Sequence, residues 1–285
     1  MESALRNELA DIHYSIARTA GSSDVLDAYY LRFIISNLKL ILKGKALGKS
    51  QEETEQYLNL HAEELIGQRD VVVKALVSKD LEEAVASLSP TGFGEEIAKA
   101  VTLYNDRKDV QIFDIFLDKI LYQQLGSSMR NSRDIELIRF VGMDIDFYNI
   151  LSILRGKFWG LDEEQIQSLI VTHSPSIPKD LLGKMISSDS VKGVFDELAA
   201  TRYRDLIPQT EDEIEAVSQF EHSFEMAIYR AANRSFSRMF NFTTIVGITK
   251  LTAYEVRNIA AIAFAVEQKI SPQITMSRLI AEQEG

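Results

Sequence analysis

The sequence predicts an all-α chain built from three related helical units. Three observations carry this: apolar residues recur at helical spacing almost throughout, cap and stop residues punctuate that spacing, and one residue series returns at an interval of about 110. Ile112, Phe116, Ile120 and Leu121 form one apolar stripe, and Ile214, Val217, Phe220, Phe224 and Ile228 form another. Residues 71–77 and 240–249 are richer in β-branched and aromatic side chains; the first stretch reads as helix and the second as loop. Residues 87–95 and 174–178 gather Ser, Pro and Gly and read as breaks between packed helices, the second as a unit boundary.

The repeat is clearest in two segments that align without a gap. Asn37 opens Asn-Leu-Lys-Leu-Ile-Leu-Lys-Gly-Lys-Ala-Leu-Gly-Lys-Ser, and Asn149 opens Asn-Ile-Leu-Ser-Ile-Leu-Arg-Gly-Lys-Phe-Trp-Gly-Leu-Asp. In each, an apolar helix runs to a cation, Lys43 or Arg155, then to Gly44 or Gly156, then to Gly48 or Gly160. A cation complements the negative end of a helix dipole, and glycine accepts the left-handed backbone of a C-terminal cap. Ser50 and Asp162 follow as N-caps of a new helix, each with Glu or Gln at the capping-box position.

A third copy, at Asn258, lacks both glycines but keeps the cap, as Ser271 followed by Pro272 at the first helical position. An acidic residue with apolar partners three and seven positions on also precedes each Asn: Glu2, Asp114 and Glu221. Asn37 to Asn149 is 112 residues and Asn149 to Asn258 is 109. The units are therefore framed as 1–64, 65–175 and 176–285, and by this frame the first is N-terminally truncated by roughly 46 residues.

Composition excludes several function classes. With 46% hydrophobic and 26% charged residues the chain is expected to fold as an ordinary globular protein. A net charge of −11 repels a phosphate backbone, so nucleic acid is not an expected partner. There is no cysteine, which removes disulfides and thiolate metal sites. The longest apolar run, residues 259–266, is far short of the ~20 residues that span a bilayer.

No residue set reads as an active site, and no cofactor is expected. Gly44-Lys-Ala-Leu-Gly-Lys-Ser50 resembles a phosphate loop but is one residue short and follows a helix, so a helix turn is the favoured reading. The nucleotide-binding alternative predicts that Lys49→Ala abolishes nucleotide affinity. His13, His61, His173 and His222 stand in no metal-ligand spacing. Glu211, Asp212, Glu213 and Glu215 read as a solvated first turn of a helix, and Trp159 as packing beneath the turn between the two glycines.

The repeated segments, together with Glu2 and Glu255-Val-Arg-Asn-Ile259, resemble the family of the C subunit of archaeal-type rotary ATPases, whose eukaryotic relative is the d subunit of the vacuolar ATPase. The resemblance covers essentially the whole chain. It implies three helical domains arranged as a pseudo-threefold funnel, with the central stalk as partner at the mouth and the membrane proteolipid ring below. The implied role is non-catalytic torque transmission from a peripheral position on the cytoplasmic face of the membrane. The asparagines are expected to hold helix ends or cross-domain hydrogen bonds. A general helical scaffold for soluble partners is the other reading.

Overall fold

Side-chain oxygens ahead of the apolar periodicity set most helix starts. The computed structural model describes residues 2–21, 23–130, 132–172, 176–237 and 241–282, and the Glu2 side chain lies outside the described part. Among the described residues it contains fifteen α-helices, a single 3-10 turn and no strand. The chain divides into two compact units, residues 6–128 and residues 129–285 together with residues 1–5.

The unit of residues 6–128 is made of α1 (Glu2–Ala20), α2 (Asp24–Ala46), α3 (Gln51–Glu55), α4 (His61–Leu65), α5 (Arg69–Val77), α6 (Leu81–Leu88), α7 (Gly94–Arg107) and α8 (Ile112–Met129). Ser23 and Asp80 start α2 and α6, their side chains accepting the Leu26 and Glu83 amides. Ile34, Leu38, Ile41 and Leu42 of α2 are fully buried, and α2 packs on α3, α4, α5 and α6. The expected stripe of α8 is realised, with Ile112, Phe116, Ile120 and Leu121 all in the core. A buried ion pair joins α7 to α8: Glu96 lies 2.9 Å from Lys119, and neither side chain is more than 7% exposed.

The second unit holds α9 (Ile135–Phe158), α10 (Glu163–Leu169), α11 (Lys179–Ser187), α12 (Val191–Leu198), the 3-10 turn Arg204–Leu206, α13 (Glu213–Ser235), α14 (Phe242–Glu267) and α15 (Pro272–Met276). Buried residues surround α9 on every side, because α10, α12, α13 and α14 all pack on it. Phe147, Tyr203, Phe220 and Phe224 form an aromatic cluster with ring centroids 4.7–5.6 Å apart. The Tyr203 hydroxyl donates to buried Asp146 at 2.5 Å. The burial and that carboxylate together hold the phenol far above its ordinary range.

Two expectations change. Residues 242–249 form the start of α14 instead of a loop, while Phe240 lies outside the described residues. Packing overrides propensity here: Asn241 caps the Thr243 amide at 3.0 Å, Thr244 donates its hydroxyl to the Ser235 carbonyl at 2.8 Å, and Val246 is fully buried. Ile214 stands 67% exposed at the tip of α13, so the core stripe of that helix runs through Phe220, Phe224 and Ile228. The break at residues 89–93 lies between α6 and α7 as expected, whereas residues 173–175, including His173, lie outside the described part.

Candidate functional site

The three asparagines make one contact three times. Asn37 donates its amide to the Asn59 carbonyl at 2.7 Å and accepts the Asn59 N–H at 3.3 Å. Asn149 does the same with Val171, at 2.9 and 2.8 Å, and Asn258 with Ile280, at 2.8 and 3.0 Å. In every case the clamped peptide lies 22 residues downstream. A carboxamide matches a peptide group donor for acceptor, so a single buried side chain satisfies two backbone groups that the returning chain takes out of water. Sequence reasoning marks the asparagines but not their partners, because a bond to backbone leaves no signature at the partner position.

Between each asparagine and its clamped peptide the chain turns in one way. Leu47, Gly48 and Lys49 donate backbone N–H groups to Lys43, Lys45 and Gly44; Trp159, Gly160 and Leu161 repeat this in the second copy, and Gln268, Lys269 and Ile270 in the third. Gly48 and Gly160 take the left-handed backbone, with φ of 70° and 65°. The third copy puts Lys269 there at φ 54°, so the missing glycine is replaced by a strained lysine. Lys269→Gly is expected to stabilise the chain by about 0.5–1 kcal/mol, read as a rise in Tm of about 1–3 °C.

Gly44 and Gly156 serve close packing. A Cβ on Gly44 would stand 2.7 Å from Thr54 Oγ1, and one on Gly156 2.7 Å from Ile166 Cγ1. Ser50 and Asp162 complete capping boxes with Glu53 and Gln165, and Ser271 caps the Ile274 amide. The segment from Gly44 to Ser50 is thus a helix C-terminus whose amides at 47, 48 and 49 are spent on its own carbonyls. A phosphate cradle needs free N–H groups at a helix N-terminus, which this turn does not offer.

The cations and acids of the repeat meet across copies. Lys43 binds Asp114 at 2.7 Å, and Arg155 binds Glu221 at 3.2 Å, so the cation of each of the first two copies holds the acidic marker of the next. Lys45 and Lys157, two residues further on, donate to the carbonyls of Ser78, at the end of α5, and Ile186, in the last turn of α11. Such cations complement the carbonyl ends of those helices. Both sets of charged residues are visible in the sequence, but their pairing is not.

Elsewhere the polar residues have local roles. Asp212 caps α13, with Glu211, Glu213 and Glu215 exposed around it. His61 binds Asp11 at 2.8 Å, His13 is buried, and Trp159 is half-buried at the end of α9. Among the described residues no group of three His, Asp or Glu could hold a metal ion, and no helix is long and apolar enough to cross a membrane.

Fully buried Glu63 accepts from Asn37 at 2.7 Å, and burial raises its carboxyl above the ordinary range. An acid whose folded pKa is raised stabilises the fold while protonated, and that stability is lost as pH rises from the unfolded pKa through the folded one. Glu63→Gln keeps the acceptor and removes the charge. Its Tm is expected to exceed that of the parent at about pH 8 by more than at about pH 5; equal gaps at both would contradict this.

Residues 1–278 match the family model described as ATP synthase (C/AC39) subunit. The C subunit of the A-type ATP synthase of Methanocaldococcus jannaschii is 26% identical over 293 aligned residues, covering 99% of this chain and 72% of the relative. That of Pyrococcus horikoshii is 31% identical over 218 residues, covering 74% of this chain and 57% of the relative. That of Methanothermobacter thermautotrophicus is 25% identical over 291 residues, covering 99% and 74%. With a family match across nearly its whole length, this chain belongs to the ATP synthase (C/AC39) subunit family.

Proposed function

We propose that this chain is the C subunit of an A-type ATP synthase, acting as a non-catalytic adaptor that links the central stalk to the proteolipid ring and transmits torque between them. The observation that carries the reading is the family match over residues 1–278. Its place is peripheral, at the cytoplasmic face of the membrane, held there by protein partners. The three clamps and the two copy-to-copy ion pairs support three related units in the frame 1–64, 65–175 and 176–285. An adaptor needs no bond-making residues. It needs stiffness, which close-packed helices supply, and surfaces complementary to two neighbours.

The test is a tagged pull-down from detergent-solubilised membranes, with partners identified by mass and the eluate assayed for ATP hydrolysis. Co-recovery of stalk, ring and nucleotide-binding subunits is expected. Recovery of soluble partners alone would favour a general helical scaffold instead.

A further inference from the structure

One cleft occurs twice in this chain, with opposite charge. In the unit of residues 6–128, a cleft of about 800 Å³ is lined by Asp24 and Asp27 of α2 and by Ser127 and Ser128 of α8. In the other unit, a cleft of about 470 Å³ is lined by Glu136 and Arg139 of α9 and by Arg234 and Ser235 of α13. These residues correspond pair by pair. Aligning Asn37 with Asn149 sets Asp24 on Glu136 and Asp27 on Arg139, and aligning the acidic markers Asp114 and Glu221 sets Ser127 on Arg234 and Ser128 on Ser235.

The first copy is thus an internal control for the second. Asp27 and Ser127 occupy the same places without loss of the helices around them, so packing does not demand arginine at 139 and 234. Arg202, between α12 and the 3-10 turn, brings a third guanidinium to the second cleft. The charged residues lining the first cleft are Arg18 against Asp24 and Asp27; those lining the second are Arg139, Arg202 and Arg234 against Glu136. Three cations against one acid make a local charge of +2 on a chain whose net charge is −11.

These three charges are not spent on the fold. All three arginines are exposed, and among the described residues Arg139 and Arg234 have no ion-pair or hydrogen-bond partner for their side chains. Arg202 has neutral partners alone, the Tyr203 ring at 5.1 Å and the Ser176 hydroxyl at 3.5 Å. Glu136 is engaged elsewhere, accepting the Asn241 amide at 2.7 Å. The cleft also receives the start of α14, through Asn241 and Thr243, so the positive end of that helix dipole adds to the arginines. Thr243 is only 7% exposed, and its buried hydroxyl has no hydrogen-bond partner. A buried hydroxyl left unpaired is costly, and a ligand oxygen seated beside it removes that cost.

We propose that the cleft of Arg139, Arg202 and Arg234 binds the dianionic phosphate of a phosphomonoester. Guanidinium forks match phosphate oxygens in pairs. A phosphomonoester carries about −1.5 to −2 charges near pH 7, which balances the local +2, whereas a carboxylate or a phosphodiester brings a single negative charge. The cleft is larger than a phosphate alone requires, and buried Phe140 and Met143 among its walls offer an apolar surface to the group the phosphate is attached to. A soluble organic phosphate and a lipid headgroup both supply this chemistry.

The experiment titrates the full chain with phenyl phosphate by calorimetry, with benzoate as the singly charged comparison. Saturable binding with a Kd below about 1 mM, at least about tenfold tighter than benzoate, is the expected result. No saturable binding up to about 10 mM, or equal affinity for the two, would overturn the proposal. Arg139→Asp combined with Arg234→Ser installs the residues of the first cleft. It is expected to keep the circular dichroism and Tm while losing at least about tenfold in affinity for phenyl phosphate. Thr243→Val is expected to keep or raise the Tm and to lose at least about fivefold in affinity. Unchanged affinity in either variant would overturn the proposal.

Sedimentation with vesicles of phosphatidylcholine and phosphatidic acid separates the two sources. Co-sedimentation that the double arginine variant loses assigns the cleft to a lipid headgroup, and phenyl phosphate binding without co-sedimentation assigns it to a soluble phosphomonoester. The chain needs no partner in these measurements, so their outcome is independent of the proposed function.

Discussion

Asn149→Ala is expected to lower the free energy of unfolding by about 2–6 kcal/mol, because it strips partners from two buried backbone groups at about 1–3 kcal/mol each. Asn149 is completely buried and Val171 nearly so, which leaves water little access to the freed N–H and C=O. Urea denaturation followed by the fluorescence of Trp159, the only tryptophan, reports on the same compact unit. Asn258→Ala should cost less, since that clamp is only part-buried and water can replace the amide. A loss below about 0.5 kcal/mol for Asn149→Ala, or the reverse order of the two variants, would show that the clamp is incidental to the fold.

The Glu96–Lys119 pair gives the second large effect. Removing one partner of a buried ion pair typically costs about 3–5 kcal/mol, whereas replacing both by apolar residues of similar size is often neutral or stabilising. Glu96→Leu is therefore expected to be strongly destabilising, and Glu96→Leu with Lys119→Met to recover most of the loss. Lys119→Met alone should be milder, because Glu96 keeps Lys99, 2.9 Å away and 42% exposed. A double-mutant cycle in thermal or urea unfolding measures the coupling. Simple additivity of the two single losses would mean that the charges do not depend on each other.

Local chemistry is the legible part of this fold. Ser50, Asp162 and Ser271 start helices as their identities demand, and Gly48 and Gly160 end them with positive φ, because caps are decided by a handful of neighbouring residues. What depends on distant packing is not legible. The start of α14 reads as loop by propensity and is helix in the structure, where contacts with α13 add to the local Asn241 cap. The left-handed Lys269 cannot be read from its own identity, since lysine is a poor choice there and the turn alone imposes it.

The same division runs through the candidate site. Asn37, Asn149 and Asn258 stand out by register, yet the peptides they hold do not, and neither does the burial of Glu63 beside the first of them. In the sequence the apolar run at residues 259–266 says only that it is too short for a bilayer. In the structure Ile259 and Ile262 of this run are exposed on α14, which no local pattern encodes.

The clamped positions are Asn59, Val171 and Ile280, one polar carboxamide and two aliphatic side chains. At the clamped residue each asparagine grips the amide plane and not the side chain, so the clamp is blind to the identity of what it holds. One end of the contact is pinned while the other is free to drift by substitution, and the chain reversal survives as the copies diverge. A search for such repeats should therefore track a lone asparagine and a fixed interval of 22 residues, and ignore which letter stands at the far end.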